Sequence, residues 1–436
     1  MVNRRVLTLW DLVVYGVVLI QPIAPVGIFG VALKISNGHA VTTILIAMVA
    51  MMLTAVSYGR MAALYPSAGS AFTYVGRGFG PYAGFLVGWA MFLDYLIIPI
   101  VNVIYGALTI QRLLPEVPYV IWTAVFAAGM IALNLRGVRS LARANTILLA
   151  AMCAVVGAFV ILAVRYLLHQ GGWTGIFSPL PFYNPATFDL RAVMTATSLA
   201  ALTYIGFDGV TTLAEETRNP RRTVPLATVL VCLITGVFSA VEVYLGQRVW
   251  PDYGSFPNLE TAFLDVTQRA GGVLLFHGMA AVLIVACFGS GLTGLAAAAR
   301  LLYGMGREDM LPKRVFGRLD AKRSQPAINI WIIGAVALGG ALALSYERSA
   351  ELINFGAFLA FMGVNLAAIR SKPKPLAASA CAGLGFVFCA WIWWSLPPAA
   401  KMAGGLWFGA GLGWTAWKTR GFRTRLAAID FAEPQA

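Results

Sequence analysis

Runs of about twenty mostly apolar residues recur along this chain from Trp10 to Trp417, separated by short polar or Pro/Gly-rich stretches. A run of that length is what one bilayer-spanning helix requires. Composition agrees with that reading: 59% of the 436 residues are hydrophobic and 11% charged, against about 45–50% and about 25% in soluble domains. A water-soluble fold is excluded. A membrane β-barrel is disfavoured, because its strands alternate apolar and polar residues, whereas these runs are continuously apolar and suit helices that satisfy their own backbone.

The formal charge of +14 does not point to nucleic acid, since the basic residues sit between apolar spans instead of forming one basic face. They serve as topology signals. The five cysteines, Cys153, Cys232, Cys287, Cys381 and Cys389, fall inside apolar spans with no CxxC pair, so neither a disulfide framework nor a metal site is expected. Arg4 and Arg5 precede an apolar run that continues to about Ala32 without a small-residue cleavage site, which reads as a first membrane helix and not a signal peptide.

Reading apolar runs against charged or Pro/Gly-rich breaks predicts twelve spans. They begin near Leu12, Val41, Tyr82, Tyr119, Thr146 and Ala192 in the first half, and near Pro225, Val273, Ala327, Ala350, Leu376 and Pro398 in the second. With both termini cytoplasmic, 24 of the 32 Lys and Arg residues fall in inner segments, as the retention of positive charge on that side demands. That inner set includes Arg4, Arg5, Arg139, Lys322, Arg323, Lys374, Arg423 and Arg425. The expected location is the cell inner membrane, with the lipid bilayer as the surrounding partner.

Two spans carry clusters that interrupt a helix. The first contains Gln21, Pro22, Ile23, Ala24, Pro25, Val26 and Gly27, where two prolines remove two backbone donors within one turn. The sixth contains Thr203, Tyr204, Ile205, Gly206, Phe207, Asp208 and Gly209. Spans one and six correspond if the first ten helices form two five-helix repeats of opposite topology. In transporters of that kind the substrate site lies near the midplane, where half-helix ends offer unpaired N–H and C=O groups. A simple kink is the competing account of either break alone.

Ionisable side chains at bilayer depth are costly, so each is a functional candidate. Asp94, followed by Tyr95, lies in the third span, Asp208 in the sixth-span break and Glu242 toward the outer end of the seventh. Either aspartate can accept an ammonium group, carry a coupling proton, or be a carboxyl satisfied by helix-end donors; Glu242 reads as a vestibule residue. Tyr204 and Phe207 flank the break, where an aromatic gates a cavity, offers a ring face to a cation or simply packs. Asn102, Tyr105, Ser290, Thr293, Asn354 and Asn365 either line the path or bond helix to helix.

Four stretches together resemble the amino acid–polyamine–organocation transporters, and within them the bacterial putrescine importers. They are Ser57-Tyr58-Gly59-Arg60 with Tyr65-Pro66-Ser67-Ala68-Gly69-Ser70-Ala71-Phe72-Thr73-Tyr74; Gly88-Trp89 with Leu93-Asp94-Tyr95; Tyr204 to Glu216 continuing into Asn219-Pro220-Arg221; and Arg300 to Arg307. The resemblance covers essentially the whole chain. It implies an all-α membrane protein of twelve helices: a ten-helix inverted-repeat core over residues 1–370 with helices one and six discontinuous, then two peripheral helices and a cytoplasmic tail over residues 371–436. It also implies alternating access, with substrate at Gln21, Pro22, Ala24, Pro25, Gly27, Asp94, Tyr95, Tyr204, Phe207, Asp208 and Gly209. Glu215, Glu216 and Arg221 would belong to the inner gate.

Amino-acid permeases of this superfamily usually place a glycine-rich run at the first break, whose N–H groups bind the substrate carboxylate. Here that run is proline-rich, which tilts the expected substrate toward amines. The region Leu148 to Ala154 lacks the lysine that some relatives carry in place of sodium, so the coupling ion is left as a proton or sodium. The sequence reading is a secondary transporter importing a small amine, a polyamine such as putrescine, or an amino acid, with no cofactor. No oligomeric state follows from the sequence. A channel would show a repeated filter or charged ring and an enzyme a catalytic cluster; neither is visible, the three histidines, His39, His169 and His277, being scattered.

Overall fold

A computed structural model describes residues 6–66, 70–136, 141–307, 311–320, 325–373 and 375–422. The basic residues Arg4, Arg5, Arg139, Lys322, Arg323, Lys374, Arg423 and Arg425, and Ser67, Ala68 and Gly69 of the first motif, lie outside the described residues, as does the tail from residue 423.

The chain folds into helices because a backbone in lipid has no water to bond and must satisfy its N–H and C=O groups within each segment. The first span is α1 (Leu9–Ile20), a 3₁₀ turn (Ala24–Gly27) and α2 (Phe29–Ile35). Thr8 caps α1: its hydroxyl accepts from the Asp11 N–H while the Asp11 carboxylate accepts from the Thr8 N–H, a reciprocal capping box. Next come α3 (Ala40–Leu64), a short α4 (Ser70–Phe79), α5 (Pro81–Leu113), α6 (Tyr119–Arg136) and α7 (Leu141–Ile176). The sixth span is α8 (Leu190–Ala200) followed by two 3₁₀ stretches, Ala201–Tyr204 and Phe207–Glu216. The rest is α9 (Pro220–Val249), α10 (Ala262–Arg307), α11 (Lys313–Phe316), α12 (Ala327–Ala343), α13 (Tyr346–Arg370), α14 (Leu376–Trp394) and α15 (Pro398–Lys418).

Among the described residues, ten helical segments are long and apolar enough to cross a membrane. The other two expected spans are α12, apolar but only 17 residues long, and α15, 21 residues diluted by five glycines. Three connections between the expected spans hold helical structure. The segment after His169 continues α7 to Ile176 across a kink at Gly171 and Gly172, and the loop before Val273 holds a helix from Ala262 that turns at Gly272, φ +70°. The connection between spans two and three contains α4. Its apolar residues face one side, burying Ala71, Tyr74 and Val75, a pattern too short to register as a span.

The heaviest packing is of α3 on α9, α5 on α10 and α5 on α13. Small residues permit these approaches, as expected where apolar contact alone drives nothing in lipid. The α carbon of Gly59 lies against Pro225, that of Gly294 against Ile98 and that of Gly356 against the Ala90 carbonyl. Intramembrane amides then tie helix to helix. Asn102 donates to Ser290 Oγ at 3.2 Å, Asn354 to the Ser198 carbonyl at 2.6 Å and Asn365 to Thr54 Oγ1 at 3.2 Å. Of the two readings for these side chains, bonding between helices is the one the fold uses. On the periphery Trp89 and Trp407 stack at 4.7 Å, and each indole N–H donates to the other's carbonyl, clasping α15 to α5.

Candidate functional site at the two helix breaks

The first break begins at Gln21, whose φ of +70° ends α1. Pro22 and Pro25 contribute no N–H, and three other donors turn inward: Ala24, Val26 and Ile28 donate to the carbonyls of Gln21, Ile23 and Pro25 at 3.0, 3.1 and 3.3 Å. Much of the break's N–H capacity is therefore used within its own 3₁₀ turn. The Gln21 side chain reaches across to the Ala286 carbonyl of α10 at 3.3 Å. Pro22, Pro25 and Gly27 are buried and Ala24 partly so. Gly27 lies so close to the Tyr346 ring, which in turn packs on Tyr105 at 5.1 Å, that a β-carbon there would overlap the Tyr346 hydroxyl.

The sixth break has a different cause. Ile205 is extended and Gly206 has φ +116°, a conformation that glycine adopts without the clash a β-carbon would bring. Phe207 then starts the second half of the span, with Asp208 in its first turn. The Gly209 N–H donates to the Gly206 carbonyl at 3.0 Å, which closes the first turn after the break. The Asp208 side chain is buried at the start of this half of the span.

Asp94, on α5, faces the same region and interacts electrostatically with Asp208. It is 7% exposed and its Oδ1 has no hydrogen-bond partner. Tyr95 lies within electrostatic reach of both aspartates, and Tyr15, Tyr58 and Tyr74 within reach of Asp208. Beneath them is a buried aromatic layer: Tyr58 packs on Phe207 at 5.4 Å, on Phe361 at 5.9 Å and on Tyr74 at 6.1 Å, and Phe207 on Phe361 at 5.2 Å. Two acidic groups, several phenols and no Lys, Arg or His on either break make a site short of positive charge.

From the expected set, Phe207 packs into the aromatic layer with Asp208 and Gly209 following it in the same turn, and Asp94 and Tyr95 are buried and half-buried on α5. Tyr204 is held apart from them: its hydroxyl donates to the Ile44 carbonyl of α3 at 2.9 Å, which anchors the last turn before the break. Tyr58, Tyr74 and Phe361 were not singled out as site residues. Tyr58 and Tyr74 stood in the first motif, and membership of that motif was the available signal.

Glu215 and Glu216 end the second 3₁₀ stretch and Arg221 opens α9. The Glu216 carbonyl accepts from the Val6 and Leu7 N–H groups at 2.9 and 3.0 Å, and Arg218 N–H donates back to Leu7 at 2.9 Å. The N-terminal segment is thereby strapped to the end of the sixth span. Arg221 is exposed and lines a groove with Arg60 of α3. The Arg60 guanidinium also donates to the carbonyls of Ser371 and Pro373, tying the end of α3 to that of α13. Among the described residues no group of three or more His, Cys, Asp or Glu side chains forms a metal-binding cluster.

Comparisons with known proteins fit this geometry. The amino acid permease family model matches residues 17–407. The chain is 31% identical over 432 residues to the low-affinity putrescine importer PlaP of Escherichia coli K12, covering 96% of this chain and 95% of the relative. It is 27% identical to the branched-chain amino acid permease BcaP of Lactococcus lactis, over 88% of this chain and 87% of that one. It is 26% identical to the methylthioribose transporter of Bacillus subtilis, over 93% and 92%. These are membrane transporters and not enzymes, and the helical, multi-pass architecture is of the same kind. The chain belongs to the amino acid permease family, within the amino acid–polyamine–organocation transporters that its motifs resemble.

Proposed function

We propose that the protein is an alternating-access importer of small amines, putrescine among them, driven by a proton or sodium gradient across the cell inner membrane. The carrying observation is that two carboxyls, Asp94 of α5 and Asp208 at the sixth break, are buried in the bundle while neither break carries a cationic side chain. An ammonium group entering there gains a charge-assisted bond to a carboxylate and a ring face from Tyr58 or Phe207. A substrate α-carboxylate is less well served: two prolines and a 3₁₀ turn take up most of the first break's donors, and the sixth break places the Asp208 carboxyl where such an anion would sit. The name of the PlaP relative is consistent with that chemistry.

The fuller architecture belongs to the same reading: twelve spans, ten of them in two inverted five-helix repeats, both termini cytoplasmic. The pairing of α3 with α9 and of α5 with α10 supports it, because these are spans two with seven and three with eight, the pairs that such repeats relate. On this topology the aromatic layer and the Glu215, Glu216 and Arg221 group lie on the cytoplasmic side, where they gate release.

The test is uptake into proteoliposomes of labelled putrescine and, separately, of a mixed amino-acid pool, under imposed proton or sodium gradients. Saturable, gradient-driven putrescine uptake is expected. Amino-acid uptake without putrescine uptake would overturn the amine reading and return the first break to a carboxylate role.

A further inference from the structure

Among the acids of the described residues, one is sealed more completely than either aspartate. Glu242 of α9 is 1% exposed, and neither carboxyl oxygen has a hydrogen-bond partner. It does not face a vestibule, as its position toward the end of the seventh span had implied.

Its place in the fold gives this meaning. α9 runs alongside both halves of the first span: the α carbon of Gly16 in α1 sits against Val231, and that of Gly246 against Phe29 in α2 and Phe263 in α10. Glu242 lies one turn before Gly246 on the same helical face, so it sits level with the 3₁₀ turn between the halves, which α9 also contacts.

The groups around it are few. From α7 it acts electrostatically on the Cys153 thiol. The break from Gln21 to Gly27 carries no ionisable side chain. The other elements on α9 offer Tyr15 and Asp11 in α1, Tyr58 and Arg60 in α3, Tyr204 and Asp208 in the sixth span, and Asp265 at the head of α10, which Arg112 holds in an ion pair. On its own helix Arg248 donates to the Gly175 carbonyl and Tyr244 to that of Ile176. No hydrogen bond or ion pair joins any of these groups to Glu242.

A carboxylate stripped of water and given no donor or counter-ion is too costly to keep ionised, and such a group neutralises instead. In a carrier that alternates between conformations, a carboxyl sealed in one of them and wetted in another takes up and releases a proton once per cycle. We infer that Glu242 is the proton-coupling site of this transporter, distinct from the aspartates that hold the substrate, and that it is opened to water when the halves of the first span shift against α9. This rests on the amine-importer reading for the substrate it couples, but not for the proton site itself.

The experiment uses full-length protein in proteoliposomes with putrescine as probe, comparing wild type, Glu242→Gln and Glu242→Asp. One imposed pH unit drives about tenfold accumulation in a carrier coupling one proton per substrate. The Gln variant is expected to retain putrescine counterflow, which needs no net proton movement, and to lose pH-driven accumulation; the Asp variant keeps both. Accumulation by Glu242→Gln equal to wild type overturns the inference. So does loss of counterflow together with accumulation in folded protein, or a wild type driven by sodium alone. A second readout does not depend on the substrate: infrared difference spectra should show a protonated-carboxyl band that Glu242→Gln lacks, and an unchanged band overturns the assignment. If wild type moves no putrescine yet shows the band, the amine reading fails and the proton site stands.

Discussion

The two helix breaks look alike in hydropathy and differ in chemistry. At the first, prolines remove donors and a 3₁₀ turn uses three others, in a mostly buried stretch with no ionisable side chain. At the sixth, a single glycine at φ +116° opens the helix and the next turn presents a carboxyl. One break is built from missing donors and the other from a permitted backbone angle. Paired breaks in a membrane protein are therefore not chemically interchangeable. Here the sixth presents a carboxyl and the first has no ionisable side chain.

Removing the charge should have the largest effect. Asp208→Asn is expected to lower putrescine uptake by about 100-fold or more, on the scale of about 2–5 kcal/mol for truncating one partner of a buried charge pair, with membrane insertion intact. Uptake at the wild-type rate would mean the sixth break holds no ammonium.

Closing the angle should come next. Gly206→Ala places a β-carbon 3.3 Å from Leu19 at a backbone conformation that L-residues avoid. The strain, about 1–3 kcal/mol, should cut turnover about tenfold while leaving the family of conformations intact by protease mapping. A variant as active as wild type would show that the positive φ is dispensable.

The smallest effect should follow from the first break. Replacing Pro22 and Pro25 together with Ala restores two donors and favours a continuous helix, so maximal uptake should fall several-fold with little change in the half-saturating concentration. An unchanged maximal rate would reduce this break to a passive kink and make the contrast one of sequence alone. A large rise in the half-saturating concentration would instead give the first break a direct share in binding.

Much of the fold was legible because lipid imposes so strict a rule on the backbone. Helix starts at Tyr119, Ala327, Leu376 and Pro398 coincide with the predicted ones, and the turn at Gly272 falls where the eighth span was expected to begin. Helices lying outside that rule were missed. The α4 segment is amphipathic and short, and the first part of α10 carries charges such as Asp265 and Arg269, so neither had a membrane signature. Among candidate site residues, Asp94 and Asp208 were visible as acids at bilayer depth, but their mutual approach was not. Tyr204 shows the opposite outcome. Its position beside the break was readable, whereas the Ile44 carbonyl that takes its hydroxyl comes from 160 residues away.

Hydropathy, prolines, glycines and rare acids are local properties, and they alone determined a helical membrane transporter with two interrupted spans and a handful of intramembrane carboxyls. Which carboxyls share a site, which polar side chains merely bind helix to helix, and which acid is sealed without a partner depended on how distant helices pack. Glu242 is the clearest case. Its position toward the outer end of the seventh span suggested a vestibule, and only the packing of other elements on α9 removed it from water. Burial is a property of the assembled bundle, since each helix leaves one face to be covered by others and the chain's order does not say by which.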